Sequence, residues 1–183
     1  MPQAGFRVPH ASNGKIFFGA GLGDNSAVFY TDGIAGTPPI SVPGTDGTLP
    51  WSIGSVGASM LFAGSQKLTG DTNKDKFDIE LWKFSATNLQ AGATFVADIN
   101  PYGNPSSPMG SYPGPFVSFS SKLYFPASSG FSSQIGNREL YSWDGTNAVL
   151  AQDFWPGSLA TDSGWPQSLQ VVGTELFFAA STP

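Results

Sequence analysis

The run KLYFPA at residues 122–127 decides the fold, because three other runs in the chain follow the same pattern. Each begins with a polar residue, continues with three large apolar residues and ends on small residues or proline. The others are KIFFGA at 15–20, SMLFAG at 59–64 and ELFFAA at 175–180. Short runs of apolar, β-favouring residues are typical of buried strands. The sequence therefore predicts an internal repeat with one such strand, called strand b, in each copy.

A shorter run precedes strand b in each copy and predicts a hairpin. These runs, called strand a, lie at 53–56, 116–119 and 169–172, with a less clear one at 6–8. Pro50, Pro113 and Pro166 each stand three residues before a strand a. Proline suits the entry of a strand, where no ladder donor is needed.

Two further strands follow strand b. Strand c is predicted at 27–33, 80–87 and 139–146, and strand d at 40–42, 94–99 and 148–154. Two of the c strands end in Asp-Gly, which favours a tight hairpin because glycine adopts positive φ without cost. The chain is thus predicted to be all-β, with three up-and-down units a-b-c-d and a fourth unit that contains strands a and b.

One strand c, ELYSWDGT at 139–146, resembles the ELWxxDGT repeat of large bacterial surface proteins. Other segments similar to that repeat are ELW at 80–82, DGIAGT at 32–37, ADINP at 97–101 and GTELFFAA at 173–180. The resemblance covers nearly the whole chain and implies a β-propeller-like array of four-stranded blades, without an established activity. The family's Glu, Leu, Trp and Asp-Gly positions look structural, so no functional residue is carried over.

The repeats predict a single array over residues 1–183. Its blades lie at about 5–46, 47–104 and 105–158, with a half blade at about 159–183. A propeller ring closes with about four to eight blades. We therefore expect a second copy, in a homo-oligomer, or the remainder of a longer chain to complete this array.

Composition restricts the partners and the location. The net charge is −5, 11% of the residues are charged, and cysteine is absent. Lysine and arginine form no cluster, which argues against nucleic acid, and no apolar stretch approaches the ~20 residues of a membrane helix. No signal-peptide pattern opens this sequence. The low charge and the Ser, Thr, Gly and Asn content favour an extracellular or cell-surface protein, as does the family resemblance.

One polar segment, DTNKDKFDIE at 71–80, has the spacing of a cation loop. Asp71, Asn73 and Asp75 offer oxygens at its first, third and fifth positions, and Asp78 follows. This spacing wraps hard oxygen ligands round Ca²⁺. Lys76, however, stands where such loops use glycine, and a solvated polar loop in which Asp and Asn make turns is the alternative. Ca²⁺ is thus the one cofactor that the sequence suggests.

No residue pattern selects a catalytic centre. His10 is the sole histidine, so neither a zinc cluster nor a Ser-His-Asp site has support. Among 13 acidic residues, no feature picks out the pair that glycoside hydrolysis needs. We therefore expect that the protein is not an enzyme, and the propeller part of a glycosidase or lyase is the enzymatic alternative.

Trp82 and Trp143 lie in predicted strands c. Trp82 stands at the family's tryptophan position and is expected in the core. The sequence does not decide which face of its strand Trp143 occupies.

The other three tryptophans, Trp51, Trp155 and Trp165, lie at strand entries or between blades, where exposed rings can stack on sugars. Asp46 and Asp162 are nearby in sequence and can bind hydroxyl groups. Covering the gap between blades is the structural alternative for these rings. The sequence thus predicts a non-catalytic array that acts in adhesion or binding, with a lectin-like, carbohydrate-binding propeller as the alternative.

Overall fold

The computed structural model describes residues 8–22, 25–65, 78–101, 109–130, 136–157 and 161–183. In these residues 48% of the chain is strand and 3% is helix. The all-β prediction is therefore confirmed. A short 3-10 helix, Leu89–Ala91, lies between two strands of the second sheet.

The described strands form three antiparallel four-stranded sheets and one two-stranded hairpin, each in chain order. The first sheet contains β1 His10–Ser12, β2 Lys15–Ala20, β3 Ala27–Thr31 and β4 Ile40–Ser41. The second contains β5 Ser52–Val56, β6 Ser59–Ser65, β7 Ile79–Ser85 and β8 Thr94–Ala97. The third contains β9 Val117–Phe119, β10 Lys122–Ser128, β11 Arg138–Trp143 and β12 Ala148–Gln152. The hairpin pairs β13 Gln167–Val172 with β14 Glu175–Ala179. The predicted order a-b-c-d is confirmed in all three sheets.

Two-residue turns join the first two strands of each unit. Asn13 and Gly14 have φ of 50° and 70°, and Ser120 and Ser121 have φ of 48° and 61°. In these two units, positive φ at both central residues is typical of the type I′ turn, whose twist matches that of the flanking strands. The strand predicted at 6–8 does not coincide with the strand that directly precedes the Asn-Gly turn. That strand is β1, while Val8 lies outside it and residues 6 and 7 are outside the described ranges.

The Asp-Gly sites form a different turn from the predicted tight hairpin. The Asp144 carboxylate accepts the backbone N–H groups of Thr146 and Asn147, both at 2.9 Å. Asp32 accepts the N–H of Ile34 at 3.1 Å in the same way. Such side-chain turns compete with the two-residue hairpin. The link between β11 and β12 is therefore four residues long, at 144–147.

Two layers of buried apolar side chains hold the sheets together. Side chains alternate along β6, so that Met60 and Phe62 enter the layer against the first sheet and Leu61 enters the layer against the third. The first layer also contains Phe17, Val28, Val42, Phe84 and Ala86, and the second contains Leu81, Leu123, Phe125, Ala127, Tyr141 and Trp143. The central strand of the second sheet is thus buried on both faces.

The two strand tryptophans differ in burial. Trp143 is fully buried in the second layer, which settles its face. Trp82 packs against the first layer but is only half-buried, and its Nε1 donates to the Gly64 carbonyl at 3.1 Å. Trp82 therefore contacts the core, as predicted, but its side chain is not fully buried.

The first strands of successive units, β1, β5, β9 and β13, lie next to one another. β1 contacts β5, β5 contacts β9, and β9 contacts β13. We call these four the inner strands. Their proximity places residues from three sheets around one space.

Candidate functional site

A cavity of about 340 Å³ lies where the inner strands of the three sheets meet. Its described walls are residues 8–10, 51–53 and 114–116. Trp51 lines it and is 42% exposed, so that its flat apolar ring is accessible to a ligand. The volume lies near the lower end of the range of about 300–1,000 Å³ that is usual for small-molecule sites.

Glycine allows two walls of this cavity to approach closely. A Cβ atom at Gly114 would lie 2.6 Å from Ser52 Oγ, and one at Gly54 would lie 2.4 Å from Phe116 Cβ. Gly114 is also fixed by its N–H, which donates to the Pro126 carbonyl at 3.0 Å. The close contacts and this bond indicate that the cavity exists before a ligand enters.

A hydrogen bond between two inner strands closes the third wall. His10 Nε2 on β1 and Ser55 Oγ on β5 are 2.7 Å apart. Burial lowers the pKa of His10, which favours the neutral imidazole at neutral pH. The other described wall residues are Val, Pro, Trp, Ser, Ile, Gly and Phe. The described lining therefore carries no formal charge, and its polar side-chain groups are an imidazole, a hydroxyl and an indole N–H.

Next to the cavity, the partly buried Arg138 guanidinium holds the backbone of the entry to the third sheet. It donates to the carbonyls of Ser111, Tyr112, Gly114 and Pro126 over 2.8–3.4 Å. Burial lowers the pKa of Arg138 to about 10, so it keeps its charge at neutral pH. The shortest of these bonds, 2.8 Å, goes to Gly114 in the cavity wall.

A buried glutamate, Glu80, ties the second sheet to the third. Its carboxylate accepts the N–H and the hydroxyl of Ser111 at 2.7 and 2.6 Å, and the N–H of Ile99 at 2.9 Å. Ile99 follows β8, and Ser111 lies in the segment that enters β9. One side chain of β7 thus fixes the end of its own sheet and the start of the next.

Glu139 has the same role one repeat later. Its carboxylate accepts the N–H of Gly164 at 2.5 Å and that of Phe154 at 2.9 Å. Phe154 follows β12 and Gly164 precedes β13. Both glutamates of the Glu-Leu pairs at 80–81 and 139–140 therefore join consecutive units.

Burial raises the pKa of Glu80 to about 8, even though the hydrogen bonds from Ser111 and Ile99 oppose this rise. Asp98 adds a smaller increase through charge repulsion. A raised carboxyl pKa is common in catalytic acids, but a general acid must reach its substrate. The Glu80 side chain is fully buried and bonded to the backbone of two sheets. Its pKa therefore follows from a structural role.

The structure does not bring the predicted sugar-binding residues into one site. Of these residues, Trp51 alone lines the cavity among its described walls. Asp46 is exposed in the loop between β4 and β5. Trp155, Asp162 and Trp165 lie instead in the link from β12 to β13.

Trp165 occupies a backbone position that recurs at the entry to the second sheet, the third sheet and the hairpin. Leu49, Tyr112 and Trp165 all precede a proline and have φ of 49°, 49° and 46°. Positive φ is unusual for large side chains. Each N–H bonds to the preceding sheet, at Ser26 Oγ, the Ile79 carbonyl and the Arg138 carbonyl respectively. In the sequence, this position can be recognised by the proline that follows it, and in the structure it lies at a junction between sheets.

The calcium hypothesis falls largely on residues 66–77, which include Asp71, Asn73 and Asp75 and lie outside the described ranges. Asp78 is described and is buried at the start of β7. Among the described residues, no group of three or more His, Cys, Asp or Glu side chains could hold a metal ion. A rise in melting temperature with added Ca²⁺ that is lost in Asp75→Ala would support the site.

Comparison with models of known protein families gave no match, and comparison with curated proteins gave none either. In the part of the chain that the structure describes, no helix is both long and apolar enough to cross a membrane.

Proposed function

We propose that this chain is a non-catalytic, β-propeller-like array that acts outside the cell or at the cell surface. Its role there is adhesion or the binding of a ligand. The observation that carries the proposal is the cavity at the inner strands, which presents an accessible tryptophan among described walls that carry no formal charge. The up-and-down order of the sheets and the adjacency of their first strands support a propeller-like arrangement.

Two features favour binding over catalysis. Glu80 and Glu139 are buried and accept backbone hydrogen bonds at the junctions between units. The described cavity walls, in turn, contain no carboxylate that could act as acid or nucleophile. A glycosidase or lyase would need such groups beside its ligand.

The test is binding of the folded chain to arrays of glycans and extracellular-matrix proteins, with heat-denatured chain as the control. We expect saturable binding by the folded chain and no release of product from bound glycans. Release of sugar fragments would favour the enzymatic alternative, and absence of binding to either array would contradict the proposed function.

A further inference from the structure

We propose that the cavity between the inner strands binds a neutral sugar ring, stacked on Trp51. This inference rests on the proposed binding function and names the ligand class and the site. A pyranose has an apolar face and a rim of hydroxyl groups. The cavity offers a flat indole, the hydroxyl group of Ser52 and the imidazole ring of His10, whose Nε2 is already paired with Ser55 Oγ. Stacking on an aromatic ring with hydrogen bonds at the edge suits such a ligand.

The charge of the described lining selects against acidic and basic ligands. None of the residues at 8–10, 51–53 and 114–116 carries a charge when His10 is neutral. A carboxylate or ammonium group placed there would lose water without gaining a partner of opposite charge. The site therefore favours a neutral hexose over a uronic acid.

One wall position of the cavity differs from unit to unit, whereas the features that join neighbouring sheets recur. The position after the repeated proline is held by Trp51, Gly114 and Gln167. At this position the second sheet supplies a large ring and the third supplies no side chain, and both residues line the same cavity. The glutamate bonds and the positive-φ residues, in contrast, occur in successive units. A ring that is present at one of three equivalent positions is not required to join the sheets.

The backbone around Trp51 is fixed independently of its ring. The Trp51 N–H donates to the Ala63 carbonyl at 2.8 Å, while the side chain remains 42% exposed. Removing the ring therefore keeps the strand pairing and removes the stacking surface. Trp165 is the matched control, because it is 47% exposed, is also next to a proline and does not line the described cavity.

The experiment is calorimetric titration of the full chain with methyl glucoside, methyl galactoside, methyl mannoside and the corresponding uronates. We expect at least one neutral hexoside to bind, and Trp51→Ala to weaken it by about tenfold or more, which is about 1.4 kcal/mol. Trp165→Ala should leave the affinity unchanged within about twofold, and the uronate should bind about tenfold more weakly than its neutral counterpart. Circular dichroism establishes that each variant is folded. If Trp51→Ala does not fold, Trp51→Leu keeps an apolar side chain and removes the flat ring.

Equal affinities of Trp51→Ala and the parent would overturn the inference, as would stronger binding of the uronate. If no hexoside binds while the arrays show ligand binding, the sugar site is wrong and the binding function stands. If neither assay shows binding, both fall.

Discussion

At the scale of single residues, Glu139 joins two units through bonds that only a carboxylate can accept together. A glutamine has one acceptor oxygen, so Glu139→Gln would leave the N–H of Gly164 or Phe154 facing an amide donor. We expect the free energy of unfolding to fall by about 1–3 kcal/mol, the usual cost of an unsatisfied buried polar group. Urea denaturation measures this change. Glu175→Gln is the control, because Glu175 is exposed and loses the same charge; equal effects of the two variants would contradict the proposed link.

Glu80 predicts how stability depends on pH. Its pKa is about 8 in the folded chain and 4.5 in the unfolded reference, so the folded state binds more protons between these values. Stability should therefore fall as the pH rises from about 4.5 to about 8 and level off above that. The raised pKa values of Asp98 and Glu139 act in the same direction.

Urea midpoints at pH 5 and pH 8 test this dependence. Glu80→Gln should flatten the slope, whereas Glu175→Gln should retain it. A midpoint that rises between pH 5 and pH 8 would show that Glu80 is ionised throughout this range.

At the scale of strands and turns, the apolar runs predicted the positions and order of the strands well, because short runs of apolar residues are typical of strands. The runs at 122–127 and 175–180 lie within strands or extend one residue past them. The junctions were less predictable. Which backbone N–H groups the Glu80 carboxylate accepts depends on contacts between segments up to 31 residues apart. The same limit hid the cavity, since three distant segments form it.

The hairpins offer a stability test at this scale. Ser120 and Ser121 adopt the conformation of Asn13 and Gly14 without the favourable residue types. Replacing them by Ser120→Asn and Ser121→Gly should stabilise the chain by about 1 kcal/mol, because strained positive-φ positions are relieved.

Gly14→Ala is the converse variant. A Cβ at Gly14 meets nothing within 4 Å, so any loss reports the backbone alone. We expect a loss of about 1 kcal/mol, measured by thermal unfolding with both variants in one buffer. A double variant at 120 and 121 that lowers the melting temperature would show that these serines have a role beyond the turn.

At the scale of the whole molecule, the pattern of burial follows position in the array. Met60 and Leu61 are fully buried on opposite faces of the second sheet. In the first sheet, Ile16 is equivalent to Met60 and is 41% exposed; in the hairpin, Phe177 is equivalent to Leu61 and is 52% exposed. On the second sheet, the faces that correspond to those of Ile16 and Phe177 are covered by the first and third sheets.

We therefore expect the 183-residue chain to associate in solution, because each exposed face has the apolar pattern of a buried one. Contact between the Ile16 face of one copy and the Phe177 face of another would reproduce the internal packing. At about 25 cal/mol per Å² of apolar surface, covering a few hundred Å² stabilises by several kcal/mol. Such a head-to-tail contact forms a ring if its rotation closes. Light scattering across a concentration series should show a dimer or larger species. Ile16→Glu and Phe177→Glu should each shift it towards the monomer, whereas Leu22→Glu, which changes an exposed loop residue, should not. A chain that stays monomeric at all concentrations would show that these faces are stable in water.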